Sequence, residues 1–217
     1  MRYQYEGNRI RLLQWLFGLY SQCGLTFPSD RAVAIRGLEK RLGNAFRTRG
    51  QFGIFERYRH RCLLWELPHE NNTGNKRIAP LEGKIPSWSW MAFSGHVSYL
   101  EVPFENVEWS SEVRCVFMVE EKKLPATTTL ELRAPVRQLR LLQDVRPGKL
   151  GFDYAGEEHD LDALRGAVIG REIGNDPDYY VLLVAPSGTF KGKYERVGVG
   201  SVKEGNLWPE IEWAQIV

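Results

Sequence analysis

Cysteine is scarce and odd in number: Cys23, Cys62 and Cys115 are the three thiols in 217 residues. They stand too far apart for a disulfide framework or a Cys-x-x-Cys metal pair, so each is expected as a buried free thiol. Long apolar runs are also missing. No stretch approaches the ~20 apolar residues that a bilayer-crossing helix requires, which excludes a membrane partner of that kind. The opening Met1-Arg2-Tyr3-Gln4-Tyr5-Glu6 lacks the basic-then-apolar order of a secretory signal, making the cytoplasm the expected compartment. The sequon Asn71-Asn72-Thr73 is then read as chance. Gly198-x-Gly200 and Gly188-x-x-x-Gly192 have neither the lysine-hydroxyl ending nor the full spacing of a phosphate loop. There is no Gly-x-Ser-x-Gly elbow for acyl transfer. No cofactor is expected.

What is present is an ordinary soluble composition, 43% hydrophobic and 26% charged, with seven tryptophans. The formal net charge of +2 hides an uneven distribution. Residues 1–62 hold twelve basic and four acidic side chains, whereas residues 63–217 hold seventeen and twenty-three. Two parts of opposite sign can dock on one another, or the basic part can face an acidic partner. Nucleic acid is set aside because no nucleic-acid motif accompanies the charge.

The apolar pattern divides the chain. Ile10, Leu13, Phe17 and Tyr20 recur at helical intervals, with Asn8 expected as N-cap and Gly24 just past the end. Ser29 is expected to cap a second helix lined by Ile35, Leu38 and Leu42. A third helical piece is expected over residues 54–67, burying Ile54, Tyr58, Cys62 and Trp65. Residues 68–84, rich in Asn, Gly and Pro, read as a surface connection. Beyond it, strands are expected at 87–93, 96–102, 112–120, 127–133, 137–143, 149–154, 165–171, 179–185, 194–202 and 211–217. The expected class is α+β, with an N-terminal helical layer on a mainly antiparallel sandwich or barrel. The helical part (1–67), connection (68–84) and β-rich part (85–217) are expected to form one integrated domain.

In Pro86-Ser87-Trp88-Ser89-Trp90, two-residue alternation would put both indoles on one strand face and both serines on the other. This segment, followed by Gly95-x-Val97-x-Tyr99, resembles the region downstream of the HET domain in fungal heterokaryon-incompatibility (HET) proteins. Tyr20-Ser21-x-x-Gly24-Leu25-Thr26-Phe27-Pro28-Ser29-Asp30-Arg31, then Ala34-Ile35-x-Gly37-Leu38, is similar to another stretch of that family. So are Leu63-Leu64-Trp65 and Tyr194-Glu195-Arg196-Val197-Gly198. The matches keep their order over residues 20–200. About twenty residues precede the first of them, fewer than the ~30 of a single βαβ unit. The resemblance therefore implies the downstream half of a HET protein, either free-standing or cut out of a longer chain.

Candidate sites follow from residue chemistry. Trp88 and Trp90 either wedge the helices onto the sheet or line an aromatic pocket for a small apolar or aromatic ligand. His96 and Tyr99 would supply a base and a hydroxyl to such a pocket. Asp30 and Arg31 are expected as an architectural pair, meeting Glu195 and Arg196 across the interface. Arg57 and Arg61 are expected on a basic face open to a protein partner or a second copy. Glu157-Glu158-His159-Asp160-x-Asp162 reads as a solvated acidic loop, and no metal is expected. The leading expectation is a non-catalytic interaction or regulatory module. The alternative is a cyclase, isomerase or apolar-ligand carrier of fungal secondary metabolism, built around Trp88, Trp90, His96 and Tyr99.

Overall fold

The computed structural model describes residues 2–24, 30–67, 77–78, 85–115, 132–140, 150–153 and 160–217. Helix α1 (Arg2–Ser21) buries the expected stripe of Ile10, Leu13 and Phe17. It begins before Asn8, which therefore lies inside the helix rather than capping it. Helix α2 (Arg31–Phe46) buries Ala32, Ile35, Glu39, Leu42 and Phe46, a spacing of three and four that keeps one face inward. Asp30 occupies its N-cap without a side-chain hydrogen bond, and Ser29 lies outside the described residues. Arg47 ends α2 in the left-handed region at φ 52°.

The expected helix over 54–67 is replaced by mixed structure. Strands β1 (Gly50–Gln51) and β2 (Ile54–Phe55) form a hairpin whose two-residue loop, Phe52 and Gly53, has φ of 54° and 78°. Two positive φ values in succession give the turn whose twist suits tightly paired strands, so the chain reverses just ahead of Ile54 and the residues after it pair as a strand. A 3₁₀ turn (Glu56–Tyr58) leads to α3 (Arg59–Leu63), and β3 (Trp65–Glu66) pairs with β4 (Ser98–Tyr99).

The expected strand at 87–93 is likewise replaced, by a turn and a 3₁₀ turn over Trp90–Ala92. The serines divert it. Ser89 Oγ accepts from the Met91 N–H at 3.1 Å and donates to the Phe52 carbonyl at 2.8 Å. Ser87 Oγ donates to the Val217 carbonyl and accepts from the Arg196 N–H. Short hydroxyl side chains offer the backbone partners that a sheet ladder would otherwise supply.

The β-rich part contains a closed barrel rather than a sandwich. Strands β7 (Leu132–Gln138), β9 (Arg165–Glu172), β10 (Asp178–Pro186), β11 (Tyr194–Lys203) and β12 (Glu212–Ile216) close through β7–β9 pairing. All contacts around the ring are antiparallel except the single β11–β12 bridge. Strands β5 (Val107–Trp109), β6 (Arg114–Cys115) and β8 (Leu150–Phe152) attach to β9, β7 and β11. The sequence reading had no strand at β5. Residues 116–131 and 141–149, where further strands were expected, lie outside the described residues.

Both faces of β10 are covered, which explains its unbroken apolar run. Tyr180, Leu182 and Val184 join the main core, and Tyr179, Val181 and Leu183 a second cluster beneath Leu150 and Phe152 of β8. The close approach of β8 depends on Gly198, where a Cβ would meet the Gly151 carbonyl. The main cluster extends from Ile10 in α1 to Ile216 in β12. The α+β class therefore stands, although strands β1–β3 precede residue 67. Of the connection at 68–84, Arg77 and Ile78 are described, and both hydrogen-bond or pair with residues 92–93.

Candidate functional site

The two indoles are core elements. Trp88 and Trp90 are 2% and 0% exposed. Phe17 packs on Trp90 at 5.3 Å between ring centroids, Tyr20 meets it edge-on at 6.1 Å, and the Arg31 guanidinium lies 5.2 Å above it. Trp65 donates its Nε1 hydrogen to the Trp88 carbonyl at 2.9 Å. Trp88 Nε1, Trp90 Nε1 and the Tyr99 hydroxyl are buried with no hydrogen-bond partner among the described residues. Burial holds the Tyr99 hydroxyl well above the usual tyrosine range, so it stays protonated. His96 is exposed.

The buried cations find partners that spacing did not indicate. Arg31 donates to the carbonyls of Phe93, Ser21 and Gly95, while Asp30 is exposed. Arg196 pairs with Asp153, with Nε to Oδ2 at 3.0 Å, rather than with Asp30. It also donates to the Leu63 and Trp65 carbonyls and stacks 3.3 Å above the Trp65 ring. That guanidinium ties β11 to both α3 and β3. Glu195 instead pairs with Arg77 and accepts from Ser187.

Arg61 and Arg57 differ. Arg61 donates to the Val102 and Pro103 carbonyls and lies 4.4 Å from the Phe104 ring and 5.0 Å from the Trp109 ring. Burial lowers its pKa to about 10, so it remains charged but inward-facing at neutral pH. His60 beside it stacks on Trp109 and contacts the Ser110 carbonyl. Burial pulls its pKa down to about 4, against the raising effect of that carbonyl. Arg57 is open to solvent and reaches Glu6 Oε1 at 2.7 Å.

Arg57 opens onto a cleft of about 580 Å³ lined by Arg47, Thr48, Arg49, Glu56, Arg57 and Arg59. Its floor is fixed by backbone geometry. The Thr48 N–H donates to Gly43 O at 2.9 Å, and the Glu56 N–H to Arg49 O at 2.9 Å. The Arg57 N–H donates to Thr48 Oγ1 at 3.0 Å. Arg59 is held by the Val113 and Glu56 carbonyls at 3.0 and 3.2 Å. The guanidinium groups of Arg47 and Arg49 make no ion pair or hydrogen bond among the described residues. Four cations against Glu56 in the lining and Glu6 at the ion pair of Arg57 leave a net positive field there.

The sequence points to Arg57 and Arg61 but not to Arg47, Arg49 and Arg59, because their meeting depends on the reversal between the end of α2 and the turn at Glu56–Tyr58. A signal for that reversal lies in Gly50 and Gly53, which in the sequence mark a break between the second and third helical pieces. A second cleft of about 300 Å³ is lined by Gln138, Trp208, Glu210 and Glu212, with Arg140 3.7 Å above the Trp208 ring.

No group of three or more His, Cys, Asp or Glu side chains among the described residues is arranged to hold a metal. Glu157, Glu158 and His159 lie outside those residues. No described helix is long and apolar enough to cross a membrane. Comparison with protein-family models, with curated proteins and with solved structures found no match.

Proposed function

We propose that this chain is a non-catalytic interaction module, comparable in kind to the C-terminal region of the HET proteins its motifs resemble. Its binding face is the arginine-lined cleft between the end of α2, the β1–β2 hairpin and the turn at Glu56–Tyr58. The observation that carries this reading is four arginines lining one open cleft whose backbone is held by its own hydrogen bonds. A preformed positive concavity attracts an acidic segment quickly and fixes its register, with little ordering cost on the protein's side. The filled surroundings of Trp88 and Trp90 agree with a structural part for those rings.

A fluorescein-labelled, glutamate-rich dodecapeptide tests the reading by anisotropy at several salt concentrations. Binding should weaken steadily with salt and disappear in the Arg47→Glu/Arg49→Glu variant. Binding indifferent to salt, or equal in the variant, overturns it.

The small-molecule alternative draws on the three unpartnered polar atoms of Trp88, Trp90 and Tyr99. Native mass spectrometry of freshly purified protein decides between them. A co-purifying small molecule supports the alternative, and bare protein counts against it.

A further inference from the structure

We infer that the group this cleft recognises is a phosphorylated side chain on a flexible segment of a protein partner. The inference rests on the cleft being the binding face, and it adds the chemistry of what is bound. Three features of the lining carry it.

The first is the ratio of donors to acceptors. Arg47, Thr48, Arg49, Arg57 and Arg59 face a single carboxylate, Glu56. A glutamate side chain brings one charge and two oxygens to such a set. A phosphomonoester brings close to two charges and three acceptor oxygens, and each can be forked by a planar guanidinium.

The second is a division of labour among the arginines. Arg57 and Arg59 are anchored, by Glu6 and by the Val113 and Glu56 carbonyls. Arg47 and Arg49 are exposed, and their guanidinium groups make no hydrogen bond or ion pair among the described residues. Two fixed cations set the position of the anion, and two open ones close over it.

The third is what the lining omits. None of its six residues is aromatic or aliphatic. Small-molecule sites bury most of their ligand against apolar walls, and single-stranded nucleic acids stack their bases on rings. A lining of arginine and glutamate side chains and one threonine, with no ring to stack on, grips the anion and leaves the remainder of the ligand outside. This suits a modified side chain carried on a peptide, the arginine-cluster mode of phosphopeptide capture.

The test compares two labelled pentapeptides, each three glycines alternating with two phosphoserines or with two glutamates, plus inorganic pyrophosphate as an unlabelled competitor. The intact chain should bind the phosphoserine peptide about tenfold or more tightly than the glutamate peptide, as expected for added charge-assisted bonds. Arg47→Ala/Arg49→Ala should lose about tenfold or more of that affinity. Lys40→Ala/Arg41→Ala, which removes the same charge from exposed positions of α2 outside the cleft, should change it by no more than about twofold. Circular dichroism should show both variants folded, because none of the four side chains is buried.

Equal affinity for the two peptides overturns the phosphate assignment and leaves the acidic-partner reading standing. Failure of both peptides to bind overturns both. Pyrophosphate binding as tightly as the phosphopeptide overturns the peptide and leaves a small-molecule phosphate site. Equal losses in the two variants overturn the cleft as the location.

Discussion

Glu39 carries a carboxyl group into the joint between α2 and the β1–β2 hairpin, where it accepts the Gly53 N–H at 2.6 Å. Burial raises its pKa to about 7, against the lowering effects of that hydrogen bond and of Arg36. The folded protein therefore holds a proton there that the unfolded chain has released, between the ordinary carboxyl pKa of 4.5 and about 7. Rising pH costs stability across that window, by about 3 kcal/mol once the group is fully ionised. Glu39→Gln should remove this part of the pH dependence, seen as a flatter plot of urea midpoint against pH from 5 to 8. An unchanged slope would count against the assignment.

Arg57 and Arg61 separate at the same scale. Arg57→Glu should leave the melting temperature close to that of the parent, because its ion pair with Glu6 is solvent-facing and such pairs contribute ~0–1 kcal/mol. Arg61→Glu should cost about 2–4 kcal/mol, since it removes charge-assisted bonds to two carbonyls and places an anion between two rings. Equal melting temperatures for the two variants would contradict this. Asp153→Asn should be severe, about 3–5 kcal/mol, because it leaves the buried Arg196 without its counter-charge.

Among the elements, the β1–β2 hairpin matters most to the site, since it brings Arg47 and Arg49 beside Arg57 and Arg59. Its hinge is Gly53, at φ 78°, where a Cβ would run into the Trp90 indole nitrogen. Gly53→Ala should therefore lower stability by more than the ~1 kcal/mol of backbone strain alone and weaken binding at the cleft. Chemical denaturation and peptide anisotropy on one sample would show both effects; parent-like values of both would remove the hairpin from this role. The hairpin was hard to read because Ile54, Tyr58, Cys62 and Trp65 keep helical spacing although they occupy a strand, a 3₁₀ turn, a short helix and another strand. The strands β9 to β12 were easier. β10 carries an unbroken apolar run, β11 is rich in valine, and barrel closure reinforces what each strand prefers by itself.

For the whole molecule, the continuity of the core matters more than the boundaries drawn from composition. One buried cluster includes Leu13 of α1, Trp65 of β3, Trp90, and Leu182 of β10. Heat should therefore unfold the helices and the barrel together. Far-ultraviolet and near-ultraviolet circular dichroism, the second reporting on the buried indoles, should give one coincident transition. Two separated midpoints would show that the helical part and the barrel stand independently.

By itself the sequence determined the α+β class, the buried stripes of α1 and α2, the strand at 179–185 and the excess of basic charge before residue 62. These are local properties, because periodicity records which side of an element faces inward. Only the tertiary structure decided that Arg196 meets Asp153, that Arg61 turns inward, and that four arginines line one open cleft. Those outcomes depend on where the chain reverses and closes on itself. A guanidinium binds whichever carbonyl or carboxylate the fold delivers to it, and spacing along the chain does not record that meeting.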